Sequence, residues 1–540
     1  MKKAVSVLAI FLSLNFANTL YAATYYVSNS GNDNNSGTTI NSPWKTISKA
    51  NSILQPGDTI NLRSGQYNEA IQPANSGQPG KYITYKSYGG EVARIVGGSI
   101  QANLTDKNYI VIDGIHFENA GNSWIDMARG SHNVIKNSYF NTAFGWAGIS
   151  MEGAGTSYNK ILNNTMIATC DGTRGGPADT LMMWSGASYN LVEGNDFQYA
   201  THILINIQSR GTLSTKNIIR NNTLSNPWHS SIALAQGADR NIVEGNTILD
   251  SGADHLNNAC DTTAGQRGRY MARKDHKSIE VGGASNLIIR RNVLIDNGAL
   301  THENYVGVSI DNRTYNNTLY SNVVGVSLEA AGSYSFGGHI FKNNIFAQNI
   351  DYDVIAGAGG TLGTNYFRND DFIGSRSLYK NASGSFLTVE STYSSEWSSN
   401  LGKDPQFVDA GNKDLHLKSS SLMVDAGEYL TTVSSAKGSG IAFSVADAGY
   451  FTDGYGIISG DLIQVGPTST NSPVRIVDVN YSTNTITVDS AISWDSGDGV
   501  SLQYTGSAPD LGAYEYGTAG SPAVSGSAPV VPSGLSLLKR

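Results

Sequence analysis

Three histidines occupy equivalent places in this sequence, and imidazole is the side chain best suited to acid–base chemistry near neutral pH. His202, His229 and His276 each stand three residues before an isoleucine in a short apolar segment. Because the reference pKa of histidine is about 6.5, the ring can accept or donate a proton under physiological conditions. We predict His229, His276 or the adjacent Lys277 as a general base, with Tyr305 or a histidine as the general acid.

Alignment of these segments on a buried aliphatic position predicts a column of polar and aromatic side chains. Side chains alternate along a strand, so Ile205, Ile207, Ile232, Leu234, Ile279, Val281, Val308 and Ile310 are predicted to point into the core, with Ile149 and Met182 at the aligned position. The opposite face then carries Trp146, Asp179, His202, His229, His276 and Tyr305, followed along the strands by Asn206, Gln208, Glu280 and Asp311. Such a face, with Trp228 beside it, could bind a sugar chain through aromatic stacking and hydroxyl contacts. The alternative is that the histidines simply occupy exposed strand positions.

A basic insertion precedes the third histidine. Residues 253–275 end in a stretch that contains Arg267, Arg269 and Arg273 and leads directly into His276. Long insertions in repeat proteins usually overhang the binding face, and arginine binds carboxylates in a bidentate manner. The cluster therefore predicts an anionic ligand such as a uronate, with a solvated charged loop as the alternative.

A repeated asparagine phrase predicts the scaffold that would position these residues. Its first asparagine recurs at positions 133, 159, 190, 217, 241, 286 and 317, mostly at intervals between 24 and 31 residues. Such a period with variable insertions is typical of a solenoid, and the Val, Ile and Leu of each phrase favour β-strands. Stacked coils would place the asparagines above one another in a hydrogen-bonded ladder. A β-sandwich with asparagine-rich loops is the alternative.

Composition and the N-terminus restrict the classes of function. The 540 residues carry a net charge of −8 with only 15% charged residues, which argues against a nucleic-acid partner. Residues 1–23 have the features of a secretory signal, and no later segment is apolar and long enough to span a membrane. We therefore expect an exported monomer, extracellular or periplasmic. Export permits a disulfide between Cys170 and Cys260, with two free thiols as the alternative.

The chain divides into segments of different composition. We predict that Pro43–Ala50 begins a short helix that covers the N-terminal end of the solenoid, and that alternating strands near the C-terminus form a small inserted β-module. The predicted segments are a signal peptide 1–23, a cap with the first coils 24–106, a parallel β-helix 107–440, the inserted module 441–505, a closing strand 506–516 and a flexible tail 517–540.

Several phrases of this chain are similar to those of a known superfamily. They are Tyr26-Val27-Ser28 with Gly31-Asn32-Asp33, Pro56-Gly57-Asp58-Thr59-Ile60 with Gly65-Gln66-Tyr67, Gly80-Lys81-Tyr82-Ile83-Thr84-Tyr85-Lys86-Ser87, and the closing Ala508-Pro509-Asp510-Leu511-Gly512-Ala513-Tyr514-Glu515. In these the chain resembles bacterial right-handed parallel β-helix proteins of the pectate-lyase-like superfamily, including polysaccharide lyase families 6 and 9. The resemblance implies an all-β, right-handed parallel β-helix with an N-terminal cap helix and a role with carbohydrate.

The resemblance does not extend to the catalytic motifs. Family 6 lyases have Glu-x-Glu followed five residues later by lysine, with calcium on the carboxylates. Here the comparable strand reads Asp275-His276-Lys277-Ser278-Ile279-Glu280, with Glu280 at the expected lysine position. The aspartate cluster of family 9 is not evident either, so calcium is an open alternative and no cofactor is assigned.

These patterns together predict an enzyme that cleaves an acidic polysaccharide by β-elimination. A C5-epimerase would need the same proton abstraction, and a glycoside hydrolase would need two carboxyls from the set Glu152, Asp179, Glu280 and Asp311. A non-catalytic protein that binds glycans at the cell surface or in a matrix is the alternative of another class.

Overall fold

A computed structural model describes residues 22–170, 178–250, 276–330, 332–357, 362–374, 376–466 and 472–517. The described chain is a right-handed parallel β-helix with a C-terminal antiparallel module, which confirms the predicted all-β fold class. The predicted signal peptide up to residue 21, the tail from residue 518, Cys260 and the three arginines of the basic insertion lie outside the described residues.

Each coil contributes one strand to each of three long sheets, called A, B and C here. Sheet A contains Thr24–Val27, Thr59–Leu62, Ile83–Ser87, Ile110–Asp113, Val134–Lys136, Lys160–Leu162, Leu191–Glu193, Ile218–Arg220, Ile242–Glu244, Ile288–Arg290, Arg313–Tyr315, Ile340–Lys342, Tyr366–Arg368 and Trp397–Ser398. Sheet B contains Gly65–Tyr67, Ala93–Val96, His116–Ala120, Tyr139–Ala143, Thr165–Thr169, Asp196–Ala200, Thr223–Pro227, Thr247–Leu249, Val293–Ile295, Thr318–Tyr320, Ile345–Ala347 and Asp371–Ile373. Sheet C contains Ile100–Asn103, Ser123–Asp126, Ala147–Glu152, Asp179–Trp184, Ile203–Gln208, Ser230–Ala235, Lys277–Gly282, Ala299–Glu303, Val324–Glu329, Tyr352–Ala356, Arg376–Tyr379 and Ala382–Gly384.

Aliphatic side chains stacked coil upon coil form the core of the solenoid. On sheet C the central ladder is Ile149, Leu181, Ile205, Ile232 and Ile279, each fully buried. Burial of one such side chain contributes about 1.5–3 kcal/mol relative to exposure. Because every coil repeats this contribution, the solenoid can present polar residues on its outer faces without losing its core.

The asparagine ladder is confirmed for five of the seven predicted positions. The amide N–H of each member donates to Oδ1 of the next, at 2.8–3.0 Å, through Asn133, Asn159, Asn190, Asn217 and Asn241. The prediction was wrong for the other two, because Leu287 rather than Asn286 aligns with Asn241, and Asn317 precedes a sheet B strand rather than a sheet A strand. Asn286 donates to Asp239, and Asn317 belongs to a second ladder between Asn292 and Asn344.

The two ladders flank sheet A, and a tight turn separates each sheet A strand from the second ladder. This turn needs a residue with positive φ, such as Asn221 (54°) or Gly245 (64°). Asparagine and glycine adopt this left-handed conformation more readily than other residues. The conformation explains why Asn-Asn and Gly-Asn close the repeated phrase.

A helix, Ile47–Ile53, covers the N-terminal end of the solenoid as predicted, although it begins later than the sequence suggested. Thr46 is its N-cap and accepts a hydrogen bond from the Lys49 amide, while Ile47 and Ala50 are buried. This cap shields the open end of the apolar core from water.

The C-terminal part differs from the prediction in two places. The module is a six-stranded antiparallel sheet that begins before residue 441, and residues 506–516 form no strand but pack as irregular chain against the solenoid. The module strands are Thr431–Thr432, Gly438–Ser444, Leu462–Val465, Val474–Asn480, Thr485–Trp494 and Gly499–Leu502. The remaining elements are the two-strand pairs Ser309–Ile310 with Phe336–Gly337 and Phe407–Asp409 with Asp414–Leu417, the helix Phe386–Thr392, and the 3-10 turns Ala410–Asn412, Ala448–Tyr450 and Gly454–Gly456.

Candidate functional site

The register of sheet C corrects part of the predicted column. Ile205, Ile232 and Ile279 align as predicted, but Leu181 rather than Met182 aligns with Ile149. Asp179 consequently pairs in register with Ala147 and not with the histidines. Its carboxylate nevertheless reaches the neighbouring coil and contacts His202.

The strand after Lys277–Gly282 is Ala299–Glu303 and not the segment around Val308, so that prediction was wrong. Leu300 and His302 occupy the inward positions and are buried, whereas Val308 is 41% exposed. Ile310 likewise lies in a separate two-stranded pair.

Two predicted site residues therefore fall outside the column. Tyr305 lies in the loop after Ala299–Glu303 and is 71% exposed, and Asp311 lies in the turn that precedes the sheet A strand Arg313–Tyr315. Glu303, which the sequence analysis did not identify, lies on sheet C instead.

A carboxylate orients the first histidine of the column. The Nδ1 atom of His202 lies 2.7 Å from Asp179 Oδ1, and Asn206 Nδ2 donates to Asp179 Oδ2 at 2.9 Å. An ionised carboxylate can only accept, so Nδ1 of His202 carries the proton and Nε2 has the free lone pair. Asp179 is buried while the His202 side chain is 26% exposed. This arrangement suits proton transfer at Nε2.

The second histidine is oriented in a similar way through a hydroxyl. His229 Nδ1 lies 2.8 Å from Ser230 Oγ, and Ser230 Oγ donates to Glu280 Oε2 at 2.5 Å. Glu280 Oε2 is also 3.3 Å from His229 Nδ1. With its hydrogen committed to Glu280, the Ser230 oxygen accepts from Nδ1, so Nε2 of His229 is again the basic atom. The His202 and His229 ring centroids are 5.5 Å apart, close enough for both rings to act on one sugar linkage.

A lysine between two glutamates continues the column. Lys277 Nζ donates to Glu280 Oε1 at 3.0 Å and to Glu303 Oε2 at 3.2 Å. Burial alone would lower the pKa of Lys277, but the two carboxylates outweigh it and raise that pKa. Lys277 is therefore charged at neutral pH, which argues against its predicted role as a base.

The two glutamates respond to this environment in opposite directions. Burial acts to raise the pKa of both. For Glu280, the hydrogen bond to His229 and the charge of Lys277 outweigh burial and hold the pKa well below its usual range. For Glu303, burial together with the charge of Glu280 outweighs Lys277 and raises the pKa. The face thus carries one firmly ionised carboxylate and one that protonates more readily.

His276 aligns with His229 as predicted, but its side chain is not exposed. Its ring is buried, and its Nδ1 lies 2.6 Å from Asp250, which follows the sheet B strand Thr247–Leu249. Asp250 thus orients the ring of His276 as Asp179 orients that of His202. The catalytic role of His276 stays a prediction.

An aromatic and cationic platform is formed on neighbouring strands of sheet C. Trp146, which is 57% exposed, stacks on Trp184 with ring centroids 6.2 Å apart. The Arg210 guanidinium lies 5.9 and 5.5 Å from the two indole centroids, and its Nε donates to Gln208 Oε1 at 3.0 Å. Trp228 lies beside His229, with a centroid separation of 6.4 Å. Alignment on Leu181 instead of Met182 would have placed Trp184 in register with Gln208 and revealed this platform.

The described residues do not fit a calcium ion on this face. The carboxylates near the histidines already have protein partners, because Lys277 binds Glu280 and Glu303, and His202 and Asn206 bind Asp179. Within the described ranges, His, Cys, Asp and Glu form no group of three that could hold a metal.

Cys170 is buried and disulfide-bonded, but Cys260 is not described, so their pairing stays a prediction. In the described part of the chain, no helix is both long and apolar enough to cross a membrane.

Comparisons with known proteins agree with this fold. Residues 25–204 match the family model described as "Pel9A-like, right handed beta helix region". The uncharacterized protein YwoF of Bacillus subtilis (strain 168) is 34% identical over 98 residues, which are 17% of this chain. The match spans only 21% of the length of that curated relative.

The solved structures that match this chain include enzymes and an adhesin, each with a TM-score below 0.5. Pectate lyase Pel9A is 17% identical, with 91% of this chain and 96% of that chain covered and a TM-score of 0.46. The PL6 family alginate lyase AlyGC is 16% identical, with 74% and 56% covered and a TM-score of 0.48. PfbA, a surface adhesin of Streptococcus pneumoniae, is 11% identical, with 62% and 88% covered and a TM-score of 0.42. Residues 25–204 of this chain are therefore similar to a Pel9A-like right-handed β-helix region, on the same solenoid that carries the two histidines.

Proposed function

We propose that this protein is exported and cleaves an acidic polysaccharide by β-elimination on the outer face of sheet C. The observation that carries the proposal is the pair of adjacent histidines, His202 and His229. In both, a carboxylate directly or through a hydroxyl fixes the proton on Nδ1 and leaves Nε2 basic. Two such rings supply the base and the acid that the reaction needs.

The roles follow from the reaction. Nε2 of His229 takes the proton at C5 of the uronate, and the electrons form the C4–C5 double bond as the C4–O4 bond breaks. His202, in its protonated form, gives a proton to the leaving oxygen. The C5 proton becomes acidic when a cation neutralises the carboxylate, and we assign this part to the exposed Arg210 beside the Trp146–Trp184 platform.

A second candidate is glycoside hydrolysis, which a specific feature favours. Lys277 holds Glu280 and Glu303 close together, and their pKa values move in opposite directions. An ionised and a protonable carboxyl side by side are the groups that hydrolysis of a glycosidic bond requires.

A product assay separates the two reactions. The protein is incubated with alginate, polygalacturonate and glycosaminoglycans, and the ultraviolet absorbance of unsaturated uronate is recorded beside new reducing ends. We expect absorbance to rise with at least one polymer. His202→Ala and His229→Ala should each lower this rate by about 10²–10⁴-fold without a change in melting temperature.

His116→Ala, on a sheet B strand, is the matched control and should keep the rate. New reducing ends without absorbance would contradict β-elimination and support hydrolysis, in which case Glu280→Gln and Glu303→Gln should abolish the activity. Binding without any product would support the glycan-binding alternative.

A further inference from the structure

A second cleft lies between the solenoid and the C-terminal module, on a different face from the histidine pair. It has a volume of about 590 Å³ and lies where sheet A turns into sheet B. One wall comes from solenoid residues such as Arg220 and Arg291, and the other comes from module residues such as Arg475 and Gln503. A volume of this size is in the range of small-molecule sites, which span about 300–1,000 Å³.

A buried ion network fixes the two walls relative to each other. Arg290 binds Asp461 of the module in a bidentate manner, at 2.8 and 2.6 Å, and its Nε donates to Glu244 at 3.0 Å. Tyr315 accepts a further hydrogen bond from Arg290. Arg290 thus joins a carboxylate of each wall, and the charges of Arg290, Arg291 and Arg220 together outweigh burial and lower the pKa of Glu244.

Two further arginines of the cleft form no ion pair with another described residue. The side chains of Arg291 and Arg475 each donate only to a carbonyl, Gln503 O at 3.4 Å and Gly460 O at 2.8 Å. Arg220 differs, because its guanidinium pairs with Glu193 at 2.7 Å, although its Nε is buried without a hydrogen-bond partner in the described chain. These guanidinium groups come from both walls of one cleft.

The remaining carboxyl of the cleft only partly offsets this charge. Burial and the neighbouring Asp510 raise the pKa of Glu515 to about 7, although Arg291 acts to lower it. Of the four arginines that line the cleft, Arg220 is paired with Glu193 and Arg290 with Asp461 and Glu244. Arg291 and Arg475 have no such partner among the described residues, on a protein whose net charge is −8.

We infer that this cleft is a separate binding site for an acidic sugar residue, whose carboxylate or sulfate Arg291 and Arg475 bind from opposite walls. Tyr504 and Tyr514 also line the cleft and supply aromatic surface and hydroxyls for a sugar ring. The need for an anion follows from the arginines alone, whereas the identification of a sugar rests on the proposed function. Such a site would keep the protein on its polymer while sheet C acts on another part of the chain.

Binding stoichiometry tests this inference. Isothermal titration calorimetry is done on the full chain carrying His229→Ala, so that the probe is not cleaved. The probe is a galacturonate trisaccharide, with its methyl ester as the uncharged control. We expect two sites for the acid and none at the cleft for the ester. Arg291→Gln and Arg475→Gln should each weaken the cleft site by about tenfold, and the double variant should leave one site.

Arg94→Gln removes a surface arginine that pairs with Glu118 outside the cleft and should keep both sites. Melting temperatures establish that each variant is folded, and the single Arg475→Gln variant serves if the double variant is unstable. Unchanged stoichiometry and affinity in a folded cleft variant would overturn the inference while leaving sheet C chemistry intact. Inorganic sulfate that displaces the trisaccharide at equal concentration would overturn the sugar part of the inference.

Discussion

The asparagine ladder beside sheet A and the acid–base face of sheet C lie on the same coils but are built differently. In the ladder, Asn159, Asn190 and Asn217 make the same contacts on successive coils, from amide N–H to Oδ1 and from Nδ2 to a backbone carbonyl. On sheet C, the equivalent coils instead present different residues, and the contacts across coils join unlike groups, Asp179 with His202 and Glu280 with Ser230.

The difference follows from what each region must satisfy. The ladder is buried, and every buried amide needs a partner, so one residue type that both donates and accepts can repeat indefinitely. The face of sheet C is partly exposed, and a reaction needs unlike groups close together. Repetition therefore marks the scaffold, and departure from repetition marks the candidate site. Three substitutions test this comparison, in order of decreasing expected effect.

Asn217→Ala should be the most damaging, because it breaks the ladder in the middle of the solenoid. It removes the acceptor for Asn190 N and Nδ2, and the donors to Ala187 O and Asn241 Oδ1. Unsatisfied buried groups cost about 1–3 kcal/mol each, so we expect the free energy of unfolding in urea to fall by about 3 kcal/mol. Asn68→Ala, an exposed asparagine, is the control and should change it by less than about 0.5 kcal/mol. An equal loss of stability in the Asn217→Ala and Asn68→Ala variants would contradict a stabilising role for the ladder.

Asp370→Asn should remove a pH dependence of the free energy of unfolding that arises at one position of the ladder. Asp370 occupies a ladder position and accepts from Asn344 N and Nδ2, and burial raises its pKa to about 8. The folded state therefore favours the protonated carboxyl. Its stabilising effect is complete below the ordinary aspartate pKa of 3.8 and is lost as pH rises towards the raised pKa of about 8. Asparagine has no such dependence, so the variant should gain stability over the wild type by up to about 1.4 kcal/mol per pH unit across this window.

Urea unfolding at a series of pH values measures this gain. Asp351→Asn, at an exposed position, controls for the loss of a carboxylate. A stability difference between the Asp370→Asn variant and the wild type that does not grow with pH would contradict the protonated ladder position.

Trp184→Ala should have the smallest effect, because it removes part of a partly exposed platform. Loss of stacking and of the cation–π contact with Arg210 should raise KM by about fivefold, which is about 1 kcal/mol, with kcat nearly unchanged. Tyr88→Ala breaks a comparable pair with Arg63 near the N-terminal cap and should leave KM unchanged. A fall in kcat instead would show that the platform positions the reacting groups.

Part of the candidate site could be predicted because it depends on local repetition. The register of His202 and His229 followed from Ile205 and Ile232, whose spacing from the histidines is fixed within each strand. The predicted alignment was wrong at Met182 and Val308, because neighbouring apolar residues made two alignments equally plausible there. A shift of one residue in a strand reverses which side chains face outwards.

The sequence by itself determined the solenoid, its asparagine ladder, the cap helix and the presence of histidines on one sheet, because each depends on a period or on neighbours in the chain. Only the tertiary structure decided which groups meet across coils. Asp179 orients His202, Ser230 links His229 to Glu280, and Lys277 joins Glu280 to Glu303. The cleft between Arg291 and Arg475 arises in the same way, since contacts between residues far apart in the chain have no local pattern to reveal them.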